Sequence, residues 1–323
     1  MSTVLAWADY EPEVAVIVTG AGGAAGVAVI RSLAARGVRV IAADADEMAA
    51  GLRLASSSST LPLCTDPTFV DRVCRLAVQT GAGVLVSTVA EEMQALARGE
   101  RGLAAAGLRT WLPAPEVVQT CIDKWSFAAA TSRAGISAPA TALGSADGVP
   151  GPWIVKPRFG RGSRHVHAVD FADELEWALR RVPEPIVQTR LSGREFTVDC
   201  LVDHDGKLAG AVPRWRLETK GGISTRGTTF ANAAVVDGTR SLLAALGLRG
   251  PANVQGFVDA EGAVSFVEVN PRFSGGLPLS LAAGADLVGE YLRGALGLPI
   301  NAARLTYREG VSMVRYFEEV FEG

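Results

Sequence analysis

The chain has few of the residues that would announce a metal cluster, a disulfide framework or a membrane span. Its 323 residues include four cysteines, Cys64, Cys74, Cys121 and Cys200, scattered without the short spacings of a zinc site. They read as reduced, mostly buried thiols of a cytoplasmic protein. The three histidines, His165, His167 and His204, are not spaced as a metal site either. There is no run of eighteen apolar residues, and the N-terminus lacks a basic stretch followed by an apolar one. Neither a membrane span nor a targeting segment is therefore expected. Charge of one sign is also scarce: a net charge of −3 argues against general binding to nucleic acid or to a membrane surface. Nothing marks a serine or cysteine as a nucleophile.

What is present is apolar material, 48% of the chain, enough for buried parallel sheets in two or three lobes. Residues 14–19 read as a buried strand, residues 20–26 as a glycine-rich turn opening a helix, and residues 38–44 as a second strand ending in Asp44. That is close to a dinucleotide fingerprint, with Asp44 where a ribose ligand would stand. The alternative is that the glycines serve close strand–helix packing and leave the helix N-terminus to an anionic substrate. Further strands near residues 59–63, 84–87 and 108–112 alternate with helices around residues 69–79 and 91–106, which implies a parallel sheet. Glu91 and Glu92 follow a strand's carboxyl end. They are candidate contacts for an amine, or simply acids favoured by a helix dipole.

The prolines Pro113 and Pro115 mark a junction, after which a helix over residues 115–122 leads to Lys124. Trp153-Ile154-Val155-Lys156-Pro157 is a short strand delivering a lysine, followed by residues 158–164, a loop rich in glycine and positive charge. Glycines let a backbone fold over phosphates, and Lys156 supplies them a point charge. Residues 186–201 give a strand, a short loop, Glu195 and a second alternating strand. Residues 207–212 and 228–231 are expected to be strands, and residues 213–227 a charged glycine-rich loop carrying Arg214, Arg216, Lys220 and Arg226. Gln255 lies on the strand before a hairpin turn at residues 259–262.

The most telling stretch is residues 266–276, Phe-Val-Glu-Val-Asn-Pro-Arg-Phe-Ser-Gly-Gly. Pro271 should stop the strand at Asn270. Alternation then puts Glu268, Asn270 and Arg272 on one face, with Val267 and Val269 in the core. A carboxylate beside an amide oxygen suits a hard divalent cation such as magnesium, and Arg272 suits a phosphate or carboxylate.

In this order, Lys124, Lys156 with its glycine loop, Gln188 to Glu195, Gln255, Glu268, Asn270 and Arg272 resemble an ATP-grasp enzyme. They are similar to the ATP-grasp halves of the carbamoyl-phosphate synthetase large subunit and to stand-alone carboxylate–amine ligases built like them. The resemblance runs from Val16 to about Arg315. It implies an α/β chain, α+β in its C-terminal part: an ATP-grasp fold with an N-terminal Rossmann-like parallel-sheet lobe. The expected domains are residues 1–112, a central lobe over 113–185 and a C-terminal lobe over 186–323. It further implies ATP and magnesium, two ions with manganese as a substitute, at Gln255, Glu268 and Asn270. Lys124, Lys156, Gly160, Gly162 and Ser163 would hold the phosphates. Gln188, Thr189, Arg190 and Leu191 would frame the adenine, and Glu195 would take the ribose hydroxyls. Arg272, Lys156 and Arg226 form the expected catalytic set. His165 departs from the small residues usual in that loop.

The implied reaction is attack of a substrate carboxylate on the γ-phosphorus. The acyl phosphate so formed would be captured by an amine, giving an amide, ADP and phosphate. Such a transition state needs positioning and electrostatic stabilisation more than a covalent protein group. Closure of the 160–164 loop would keep water out. Partners would be small carboxylates and amines, and a homodimer is left open. Two alternatives stand: a bicarbonate-activating enzyme of the carboxylase or carbamoyl-phosphate synthetase kind, and a non-catalytic nucleotide- or NAD-binding module.

Overall fold

The computed structural model describes residues 14–160 and 162–321, so Arg161 of the charged glycine loop lies outside the described residues. The chain divides into two units. One holds the described residues up to Trp111 with Leu292–Pro299 and the residues from Glu318; the other holds Leu112–Tyr291 and Ile300–Phe317.

In the first unit β1 (Ala15–Thr19), α1 (Ala24–Ala34), β2 (Val40–Asp44), β3 (Ser57–Thr60), α2 (Phe69–Thr80), β4 (Ala82–Ser87), α3 (Ala90–Arg98) and α4 (Glu100–Ala105) follow in turn. The strands form one parallel sheet in the order β3-β2-β1-β4. Every residue of β1 is buried, as a central strand of such a sheet requires. Two local expectations are corrected. The helix read over residues 91–106 is two helices, α3 and α4, because Gly99 ends one and opens the next. The strand read at 108–112 shrinks to a single parallel bridge, Val84 to Arg109, ahead of Pro113, which cannot donate to a ladder.

The second unit begins with α5 (Pro115–Ile122) and α6 (Lys124–Arg133). β5 (Thr141–Leu143), β6 (Trp153–Pro157), β7 (His167–Val169), α7 (Ala172–Arg181) and β8 (Pro185–Thr189) then build a four-stranded antiparallel sheet, order β5-β8-β6-β7. Next come β9 (Arg194–Val202), β10 (Leu208–Lys220), β11 (Ile223–Thr229), α8 (Ala233–Leu246), β12 (Gly250–Val258), β13 (Val264–Asn270), α9 (Leu277–Ala282), α10 (Leu287–Ala295) and β14 (Ser312–Val314). The boundary between the units falls within α10. Six strands pair antiparallel in the order β13-β12-β9-β10-β11-β14. Phe196 and Val198 of β9, Val254 of β12 and Phe266 and Val269 of β13 pack with Phe127 of α6 and Leu242 of α8. Among the described residues no helix is long and apolar enough to cross a membrane.

Two features of this sheet differ from the sequence reading. Residues 213–227 are not a loop but the paired ends of β10 and β11. Gly221 and Gly222, at φ 57° and 77°, make the two-residue turn between them. The charged side chains masked the strand, although Arg214 and Arg216 alternate with Trp215 and Leu217. The second difference is a bulge in β13. Gln255 pairs with Glu268 but the next residue, Gly256, pairs with Phe266, so Val267 is extra. Val267 therefore lines the cavity described below rather than the core, while Phe266 turns inward. Gly256 permits this: a Cβ there would lie 2.4 Å from the Ser265 carbonyl oxygen and 2.7 Å from the Phe196 ring.

Candidate functional site

A cavity of about 310 Å³ in the second unit is lined from both of its sheets. That is the size of a small-molecule site. Antiparallel pairing of β12 with β13 sets Gln255 opposite Glu268 and Asn253 opposite Asn270. Glu268 and Asn270, two residues apart, share the cavity face. The Asn270 amide nitrogen donates to Glu268 Oε1, and its oxygen accepts from Arg272 Nη2 at 3.0 Å. Arg272 also donates to the Phe273 carbonyl at 3.0 Å, which fixes the guanidinium at the strand's end. Among the described residues no three His, Cys, Asp or Glu side chains gather as a metal cluster. The oxygen donors that do converge are one carboxylate, Glu268, and the amides of Asn270 and Gln255. Such a set fits a hard divalent ion that completes its shell from a ligand.

Cations face this pair of strands. Lys156 on β6 is buried, and burial pushes its amine down to about 8, with nearby Glu268 opposing the shift and Lys124 adding to it. Lys124 opens α6 and donates to the Gly160 carbonyl at 2.9 Å. Its position is set by Asp123, the helix N-cap, whose carboxylate accepts from the Trp125 and Ser126 amides. Arg158 grips the same carboxylate with Nε at 2.8 Å and Nη2 at 2.5 Å. Burial alone would raise the Asp123 carboxyl, but the hydrogen bonds from Arg158 and Ser126 outweigh it and hold the group at about 2. The start of α6, the end of β6 and the glycine loop are thereby tied together. Gly162 of that loop lies close against Gly222 of the β10–β11 turn: a Cβ on Gly222 would sit 2.9 Å from Gly162 Cα. Gly160, Gly162 and Ser163 line the cavity, whereas exposed His165 does not.

The remaining wall comes from Gln188, Thr189, Arg190 and Leu191. Gln188 is tied by its amide nitrogen to Thr141 Oγ1 at 2.9 Å, and the Arg190 backbone donates to the Pro152 carbonyl at 2.7 Å. Glu195 also lines the cavity; burial raises its carboxyl while Arg216 pulls it back.

Every residue read from the sequence as a phosphate, nucleotide or metal contact lines this cavity, and Arg272 and Lys156 of the catalytic set do too. Arg226 does not: it is exposed and pairs with Glu218 at 3.1 Å on the hairpin surface. Arg216 takes the place that the sequence could not assign. It is nearly buried and donates to Glu195, to Gln255 Oε1 at 2.8 Å and to the Gly222 carbonyl at 3.0 Å. Arg214, two residues earlier, is buried on Asp199 through bonds of 3.0 and 2.9 Å and also donates to Ser274 Oγ at 3.0 Å. Asp199 further accepts from Asn253 at 3.0 Å and from Ser280 at 2.6 Å, so this pair anchors the segment after Arg272. The spacing of Glu195 and Asp199 on one strand was the available signal.

In the first unit, Asp44 accepts the Gly22 amide at 2.7 Å, so its carboxylate holds the glycine turn. Glu92 accepts from Thr19 and from Ser87 at the carboxyl ends of β1 and β4; burial raises it to about 6 against those two hydrogen bonds. Glu91, its neighbour, is exposed.

Comparison with known proteins gives a consistent picture. Residues 181–320 match the family described as ATP-grasp in the biosynthetic pathway with Ter operon. The carbamoyl phosphate synthase large chain of Clostridium perfringens is 29% identical over 162 residues, 45% of this chain and 15% of that protein. The chain spans only 12% to 15% of the length of the curated relatives that it matches first. Among solved structures, the L-amino acid ligase of Bacillus licheniformis superposes with a TM-score of 0.71 at 17% identity, over 91% of this chain and 77% of that one. The biotin carboxylase domain of Hydrogenobacter thermophilus 2-oxoglutarate carboxylase, solved with MgADP and bicarbonate, gives 0.71 at 17% identity, over 90% and 72%. Those two likenesses establish the fold, and the family match over residues 181–320 and the sequence likeness point to the same ATP-grasp proteins as what this chain resembles.

Proposed function

We propose that the chain is an ATP-dependent carbon–nitrogen ligase that activates a carboxylate as an acyl phosphate and joins it to an amine. The observation that carries this reading is the meeting, in one cavity, of Lys124, Lys156 and Arg272 with the oxygen donors Glu268 and Asn270. A triphosphate needs fixed cations along its oxygens, and a divalent ion needs hard oxygen ligands beside it. Magnesium held by Glu268 and Asn270 would supply Lewis-acid polarisation of phosphate oxygens, and manganese is the expected substitute.

In this reading Lys156 and Lys124 bind the outer phosphates, and Gly160, Gly162 and Ser163 cover them. Gln188 to Leu191 frame the base, and Glu195 takes the ribose hydroxyls. Arg272, clamped by Asn270 and the Phe273 carbonyl, orients the substrate carboxylate toward the γ-phosphorus. One carboxylate oxygen bonds to phosphorus as the bond to the ADP oxygen breaks. The amine then attacks the acyl carbon, and phosphate leaves with that oxygen. L-amino acid ligase is the named activity of one structural neighbour, which supports an amino acid as one substrate.

The test is a screen for substrate-dependent ADP release across amino acids and small carboxylates. With the correct pair, an oxygen label in the carboxylate should appear in the released phosphate, and hydroxylamine should trap the activated acid as a hydroxamate. Release of AMP and pyrophosphate would overturn the acyl phosphate route.

A further inference from the structure

The resemblance to ATP-grasp enzymes implies a pair of divalent ions, with Gln255 among their ligands. The contacts of Arg216 point elsewhere. Its guanidinium is bound by three acceptors on separate elements: Glu195 of β9, Gln255 of β12 at 2.8 Å and the Gly222 carbonyl of the hairpin turn at 3.0 Å. The side chain is 9% exposed, so it has little room to swing aside. An ion on the Gln255 side would share the amide oxygen with a unit positive charge. Asn270 also gives its oxygen to an arginine, Arg272, but there the carboxylate of Glu268 stands beside it to draw an ion in. On the Gln255 side the amide is neutral and the nearby carboxylate, Glu195, is already paired with Arg216.

Charge around the cavity leads to the same place. Among the described residues six cationic side chains line it, against the two carboxylates Glu195 and Glu268. A bound triphosphate, with roughly four negative charges, meets enough fixed positive charge that a second dication has little left to neutralise.

We propose that Arg216 is a built-in cation standing where a second ion would sit, so that the site takes one divalent ion, held by Glu268 and Asn270. This rests on the ATP-binding reading above. Glu195 and the Gly222 carbonyl hold the guanidinium in place, and Gln255 presents it to the phosphates. Arg216 is thus a determinant of metal number as well as a contact for the nucleotide.

Manganese counting tests this apart from turnover. The wild-type protein is saturated with a non-hydrolysable imido analogue of ATP and titrated with Mn²⁺, and bound ions are counted by electron paramagnetic resonance. The expected result is one ion per chain, with no coupling between ions. Arg216→Gln, shown folded by circular dichroism, should bind two, with the exchange coupling of ions about 4 Å apart. Arg216→Lys keeps the charge and should stay at one. Two coupled ions in the wild type would overturn the proposal. So would one ion in both the wild type and Arg216→Gln, because the count would then not depend on the arginine. Calorimetry of the analogue separates the two readings. No binding would sink the ATP reading and this inference with it, whereas binding with two ions would sink this inference alone.

Discussion

Raising the pH should weaken nucleotide binding through one buried amine. Lys156 has a depressed pKa of about 8 because burial penalises its charge, against 10.5 for an ordinary lysine. Phosphate oxygens beside it would favour the charged form and draw the pKa back up. If binding restores the ordinary value, affinity is constant below about pH 8 and falls about tenfold per pH unit above it, to a limit of roughly 300-fold by the upper pKa. Folding stability should move the other way. Between 8 and 10.5 the unfolded chain holds the proton more tightly than the folded one, so stability rises with pH through that window. The full effect is on the order of 3 kcal/mol. The assay is calorimetric titration of a non-hydrolysable ATP analogue at fixed magnesium across this range, with urea unfolding of the protein alone at the same pH values. Lys156→Arg stays charged throughout and should lose the alkaline weakening while still binding. A flat wild-type profile, or the same slope in Lys156→Arg, would refute the argument.

Three other outcomes are expected. Glu268→Gln should fold normally yet lose roughly 100-fold or more in turnover, the scale of removing one strong electrostatic stabiliser; near-normal ADP production would sink the metal assignment. Calorimetry should detect no NAD or NADP binding, because Asp44 already accepts the Gly22 amide; micromolar affinity lost in Asp44→Ala would reverse that. Asp199→Ala should strip the buried Arg214 of its counter-ion and destabilise the protein by about 3–5 kcal/mol, visible as a lower urea midpoint; a change within error would mean that the pair contributes nothing to the fold.

The parts of this molecule legible in the sequence are those with local causes. β13 ends at Asn270 because Pro271 cannot continue a central ladder, and the strand delivers Glu268 and Asn270 to one face by simple alternation. α5 runs from Pro115 to Ile122, opening on the proline that a first helical turn tolerates. The buried run from Ala15 to Thr19 announces a central parallel strand. What could not be read depends on cross-strand partners. The Val267 bulge exists only in the register of β13 against β12, so a period-two reading of β13 alone sends that side chain to the wrong side.

The two arginines of β10 make the same point more sharply. Arg214 and Arg216 look equivalent in sequence, two cations two residues apart, and both occur in a stretch whose charge suggests an exposed loop. Their roles diverge because the neighbouring strands offer different partners. Arg214 meets Asp199, already bonded to Asn253 and Ser280, and its charge is spent holding the Ser274 to Gly276 segment in place. Arg216 meets Glu195 and a neutral glutamine, and this ion pair lines the cavity, where the pair of Arg214 with Asp199 does not. Lys156 adds a further charge, and burial makes its proton easier to lose than an ordinary lysine's, at about 8. The site is in this way tuned to a polyanion: the arginines keep their charge at any ordinary pH, and Lys156, charged below about pH 8, keeps its proton above that only when phosphate is bound.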